Sequence, residues 1–266
     1  MKAPLAALLL ISLTGPALAN DPIGFQTTTI PDTHNIRPLE MAVWYPSTST
    51  AQPKLIADNL VFIGVLAVPD AAPTPGKHPV VVLSHGYGGN WGKQAWLASA
   101  LARQGYIVAA VNHPGTTSQD RSAQAAAQLW QRPKDLSRAI DALLAQATPF
   151  GAADSGRIAV IGHSLGGWTV MESAGARFDP ALFARDCDAH PTLVACKAYR
   201  EMNPEGTPSG KAQVAADLSD KRVTAVVSLD LGLSRGFTDA SLAALPVPAL
   251  VIAAGVPSAD LPAQME

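Results

Sequence analysis

Charge, cysteine and long apolar runs are scarce in this 266-residue sequence, and each scarcity narrows what it can be. Only 15% of residues are charged, the net charge is −2 and no basic block occurs, so nucleic acid is not an expected partner. The longest apolar run near the start, Leu5 to Leu13, is too short to span a membrane, and no later stretch is long enough. No internal repeat is visible. What is abundant is hydrophobic residues, at 48%, enough for a single domain with a large core.

The N-terminus reads separately from that domain. Met1-Lys2, the apolar run, a Gly15-Pro16 break and Ala17-Leu18-Ala19 have the form of a signal peptide cut after Ala19. The rival reading is an ordinary buried N-terminal helix. Export to the periplasm or medium changes how Cys187 and Cys196 read. Two cysteines so close in an oxidising compartment suggest a loop-stapling disulfide, with free thiols as the alternative. A metal site is the least expected reading there, since His190 is the only further soft ligand nearby.

The chemistry centres on Gly162-His163-Ser164-Leu165-Gly166. The β-branched run Arg157 to Ile161 precedes it, and Gly167 to Ala174 reads as a helix after it. A serine between glycines on a strand-to-helix turn is a nucleophile elbow: small neighbours let the backbone bend and lift the hydroxyl clear. The helix N-terminus then faces the place where negative charge develops in acyl transfer.

Around the elbow, segments alternate. Phe25 to Ile30 and Leu39 to Tyr45 read as a β pair joined by a turn at Asp32 to Asn35. Residues 46–77 read as a Pro/Ser/Thr-rich loop over the sheet edge, interrupted by the apolar stretch Leu60 to Val68. Pro79 to Ser84, Tyr106 to Val111, Ile158 to Ile161, Val223 to Leu229 and Ala249 to Ala253 read as parallel strands. Helices are predicted at Trp91 to Gln104, with Trp96, Leu97, Ala100 and Leu101 facing inward, and at Lys134 to Ala147. Strand–helix alternation predicts an α/β parallel sheet covered on both faces. Residues 177–222 form an insertion, which is either a short cap shaping the pocket or a decorated loop.

Ser84-His85-Gly86-Tyr87-Gly88-Gly89 follows the first strong parallel strand. A turn there can present a backbone N–H to the serine, which makes the amides of Tyr87 and Leu165 the expected oxyanion hole. His85 reads as a brace of this loop. Together with Gly105-Tyr106-Ile107-Val108, Asn112-His113-Pro114-Gly115 and Ser228-Leu229-Asp230, these motifs occur in the order seen in one group of enzymes. From about Phe25 onward the chain resembles the predicted dienelactone hydrolases, which are similar to platelet-activating-factor acetylhydrolases. The resemblance implies an α/β-hydrolase fold and a serine esterase without cofactor. Dienelactone hydrolases in the strict sense use cysteine, so the serine here separates name from substrate. It also implies that His113 shapes the pocket and that Asp230 is the acid holding the base. The other candidate acid is Asp260.

The expected order in this fold is Ser, Asp, His, yet none of the six histidines follows Asp230. His163 sits in the elbow and should point away from the hydroxyl, and His190 could reach it only if the cap folds inward. The resemblance implies one more strand, a histidine-bearing loop and a final helix, so the sequence is expected to stop short of them. The 266-residue chain alone is therefore expected to be poorly soluble and nearly inactive. The function expected for the complete enzyme is hydrolysis of small or short-chain carboxylic esters through an acyl-enzyme. Alternatives are an inactive secreted binding protein, or a polyester hydrolase or amidase on the same scaffold.

Overall fold

The computed structural model describes residues 22–32, 37–145 and 149–255. The leader-like segment, part of the Asp32 to Asn35 turn, and Asp260 lie outside the described residues. In chain order the strands are β1 (Ile23–Ile30), β2 (Leu39–Pro46), β3 (Lys54–Ile56), β4 (Val65–Pro69), β5 (Lys77–Ser84), β6 (Ile107–Asn112), β7 (Ala152–His163), β8 (Ala225–Leu229) and β9 (Ala249–Ile252). The helices are α1 (Ala95–Arg103), α2 (Ala123–Ala126), α3 (Gln131–Leu144), α4 (Leu165–Ala174), α5 (Pro180–Ala189), α6 (Val194–Met202), α7 (Gly210–Val214) and α8 (Asp239–Ala243).

All nine strands share one sheet in the order β3-β4-β1-β2-β6-β5-β7-β8-β9. The hairpin β1–β2 is antiparallel, while β6, β5, β7, β8 and β9 run parallel. Alternation along β5 and β6 sends Val80, Val82, Ile107, Ala109 and Val111 to one face, and Val81, Leu83, Val108 and Ala110 to the other. Both faces are buried, which is why these strands read as unbroken apolar runs. Ala95, Ala98 and Ala102 of α1 pack on the second face, and small side chains let that helix lie close. α3 and α4 cover the first face through Leu136, Ile140, Leu143, Leu165 and Trp168.

Three expectations change. Residues 46–77 are not simply a loop: β4 pairs parallel to β1 and antiparallel to β3, extending the sheet edge. Trp96 and Ala100 do not face inward; Trp96 is 62% exposed, because alanines rather than large residues meet the sheet. The cysteine segment, read as a stapled loop, is helical, since Asp179 caps α5 at the Ala181 amide and Pro180 opens it. A disulfide joins Cys187 on α5 to Cys196 on α6. The insertion packs on α4 through an aromatic cluster in which Phe178 meets Trp168 at 5.9 Å and Phe183 at 5.4 Å. No helix among the described residues is long and apolar enough to cross a membrane.

Candidate active site

Ser164 lies between the end of β7 and the start of α4, with φ 54° and ψ −120°. A non-glycine residue in this left-handed region costs on the order of 1–3 kcal/mol and persists only where its surroundings fix it. Here the Ser164 amide donates to the Leu229 carbonyl at 2.9 Å, and the Gly167 and Gly232 amides donate to the Ser164 carbonyl at 2.7 and 3.0 Å. The glycines are required by contact. A β-carbon on Gly162 would come within 2.0 Å of the Gly166 carbonyl oxygen, and one on Gly166 within 1.9 Å of the Ser84 oxygen.

β7 and β8 are neighbours, with His163 opposite Leu229, so Ser164 and Asp230 follow at the same carboxyl edge of the sheet. Asp230 also takes positive φ, 53°. Its amide donates to the Ile252 carbonyl at 2.7 Å, and the Ala254 amide donates to its Oδ1 at 3.3 Å. Asp260, the other candidate acid, lies outside the described residues.

The β5–α1 loop brings its backbone against the serine. A β-carbon on Gly86 would stand 3.1 Å from the Ser164 β-carbon. The amide of Tyr87 follows directly, and the amide of Leu165 opens α4. A cavity of about 390 Å³ lies above these groups, lined by Phe62, Trp96 and Leu97 on its apolar side and by Lys93, His163 and Ser164. Phe62, from the loop between β3 and β4, and Trp96 are contributions the sequence did not reveal; large apolar side chains exposed beside a serine were the available signal. Residues 177–222 supply none of the described lining. Their link to the site is indirect: Glu201 of α6 meets the Tyr87 hydroxyl, and Arg121 lies 5.1 Å from the Tyr87 ring centre.

None of the described histidines is hydrogen-bonded to Ser164. Ser164 Oγ has no side-chain hydrogen-bond partner among the described residues, although His163 lines the same cavity. His190 ends α5 and is absent from the lining. His113 does not line the cavity: it is fully buried behind it, in a polar network at the carboxyl ends of β5 and β6. Its Nδ1 donates to Asp135 at 2.9 Å, and the Ser84 hydroxyl donates to its Nε2 at 2.9 Å. This resembles a catalytic relay, but Ser84 has no exposed surface and cannot meet a substrate. Burial and the nearby Arg132 guanidinium push His113 down to about 3, so the ring is neutral. Burial raises Asp135, but hydrogen bonds from His113 and Arg37 outweigh it and hold the carboxylate below its usual range. Buried Arg132 ties the network together, donating to Thr169 Oγ1 at 2.9 Å, Thr116 Oγ1 at 2.6 Å and the His85 carbonyl. Among the described residues no group of three or more His, Cys, Asp or Glu side chains is placed to hold a metal ion.

The chain is similar to several known proteins. The serine aminopeptidase (S33) family model matches residues 76–184. A bis(hydroxyethyl) terephthalate hydrolase of Streptomyces coelicolor is 29% identical over 179 residues, covering 65% of this chain and 51% of the relative. Cutinase est1 of Thermobifida alba is 32% identical over 101 residues, 37% of this chain and 31% of its own. The platelet-activating factor acetylhydrolase of Cavia porcellus is 28% identical over 163 residues, 43% of this chain and 37% of its own. The chain thus spans about half the length of the first of these relatives and about a third of the other two. A solved ferulic acid esterase from Streptomyces cinnamoneus superposes with a TM-score of 0.60 at 24% identity, covering 90% of this chain and 66% of that one, a likeness of fold. By its sheet and by this likeness, the chain has the α/β-hydrolase fold.

Proposed function

We propose that this chain carries the nucleophile, acid and oxyanion hole of an exported serine-dependent carboxylic ester hydrolase. The observation that carries the reading is Ser164 at positive φ on a strand-to-helix turn, beside Asp230 at the next strand end and beneath an apolar cavity. The relatives named as ester hydrolases support the reaction class. Ser164 Oγ attacks the ester carbonyl carbon while an imidazole takes its proton. The tetrahedral oxyanion rests on the amides of Tyr87 and Leu165. The imidazolium returns the proton to the leaving alcohol, and the acyl-enzyme remains. Water, deprotonated by the same imidazole, then releases the acid. Asp230 orients that imidazole, which comes from outside the described residues.

Substrates are small or short-chain esters whose apolar part meets Phe62, Trp96 and Leu97. A second reading, hydrolysis of an aromatic polyester, is favoured by Trp96 standing exposed at the cavity. Both are tested with p-nitrophenyl acetate and a soluble terephthalate ester, using protein expressed from its full coding sequence. Wild type should turn over at least one of them, and Ser164→Ala should lose about 10⁴-fold or more in kcat with its melting curve retained. Undiminished turnover by Ser164→Ala would remove the serine mechanism.

A further inference from the structure

His85 is almost wholly buried, yet it sits one residue before the loop that meets Ser164. Both of its ring nitrogens are engaged. The His113 backbone amide donates to Nε2 at 3.1 Å. An amide N–H can only donate, so Nε2 must carry a lone pair and the ring hydrogen must sit on Nδ1. Nδ1 lies 2.7 Å from the Gly86 carbonyl oxygen and therefore donates to it. The same carbonyl accepts the Gly89 amide at 2.9 Å. Burial, followed by the charge of Arg132, holds His85 well below the usual histidine value, consistent with this neutral tautomer.

A trans peptide is planar, and its C=O and following N–H point in opposite directions. The Gly86 carbonyl belongs to the same peptide unit as the Tyr87 amide. Two donors, His85 Nδ1 and the Gly89 amide, draw that carbonyl toward the loop interior. The Tyr87 N–H is thereby turned the other way. Its Gly86 neighbour leaves room for this, because a β-carbon there would press on the Ser164 β-carbon and the His163 ring.

We infer that His85 is a positioning residue of the oxyanion hole: its Nδ1–H holds the Gly86 carbonyl and so aims the Tyr87 amide at the cavity. The inference rests on the ester-hydrolase reading for its catalytic consequence, but the peptide orientation stands apart from it. The buried network behind the loop completes the device. Arg132 holds the His85 carbonyl, and His113, fixed by Asp135 and Ser84, presents the amide that selects the His85 tautomer. His85 touches no reacting atom. It acts through one peptide plane.

The test compares His85→Ala with His85→Asn in protein expressed from its full coding sequence. An asparagine amide can replace the Nδ1–H but not the Nε2 acceptor. His85→Ala should lower kcat by about 10²–10³-fold, the scale of losing one oxyanion donor, with KM changed less than about threefold. His85→Asn should recover most of that loss. The rate at which a fluorophosphonate labels Ser164 should fall and recover in parallel. Equal kcat in wild type and His85→Ala, an effect confined to KM, or equal losses in both variants would overturn the inference. A crystal structure of His85→Ala gives a readout independent of turnover. The Gly86–Tyr87 peptide is expected to rotate, and an unchanged peptide overturns the positioning role even if the protein proves inactive. Absence of wild-type labelling and turnover would instead count against the ester-hydrolase reading alone.

Discussion

Gly166 is the most constrained neighbour of Ser164, because its missing side chain is where the Ser84 carbonyl lies. Gly166→Ala is expected to cost on the order of 3–5 kcal/mol, read as a lower urea midpoint, since backbone on both sides must move. Glu172 raises a different issue. It is fully buried on α4, and burial drives its carboxyl well above the ordinary value, against the pull of Arg177. A carboxyl raised in the fold favours folding while protonated. That contribution is complete below the unfolded value near about pH 4 and is lost as pH rises through the folded value. Glu172→Gln should therefore melt with wild type at pH 4 and above it at pH 8. Equal melting differences at both pH values would show that the carboxyl does not titrate in this way. The residues flanking Ser164 were legible in the sequence because glycine and serine have few uses in that pattern. Asp135 and Arg132 were not, since a charged residue on a helix usually faces water, and only the tertiary fold brings them behind β5.

At the scale of elements, the parallel strands were readable because burial on both faces removes polar residues altogether. β3 and β4 were not, as short strands among prolines at a sheet edge carry a weak alternation. α1 misled for a functional reason: Trp96 is large and apolar, but it faces the cavity while alanines face the sheet. α5 and α6 are joined by a disulfide with a sequence separation of 9 residues. Replacing both cysteines by serine should cost about 2–3 kcal/mol by loop-closure entropy. Since residues 177–222 supply none of the described cavity lining, kcat/KM on a small ester should stay within about twofold, measured beside a thermal melt. A large loss of kcat/KM with retained folding would mean that α6 acts on the site through Glu201 and Tyr87.

For the whole molecule, β9 is the edge of the sheet among the described residues, and its Leu250, Val251 and Ile252 are exposed. A hydrophobic edge of this kind templates association. Light scattering of residues 20–266 expressed alone should show concentration-dependent aggregation, relieved by Leu250→Lys with Ile252→Lys; a monomeric wild-type fragment would contradict it. Such association is separate from chemistry at Ser164, which lies at the carboxyl edge between β7 and β8. The most direct test of the account is covalent. Protein expressed from its full coding sequence is treated with a fluorophosphonate, and the adduct is mapped by peptide mass spectrometry. A single adduct on Ser164, lost in Ser164→Ala and slowed at least tenfold in Asp230→Asn, is the predicted result. A well-folded protein with no adduct on Ser164, or one labelled at another serine, would contradict it.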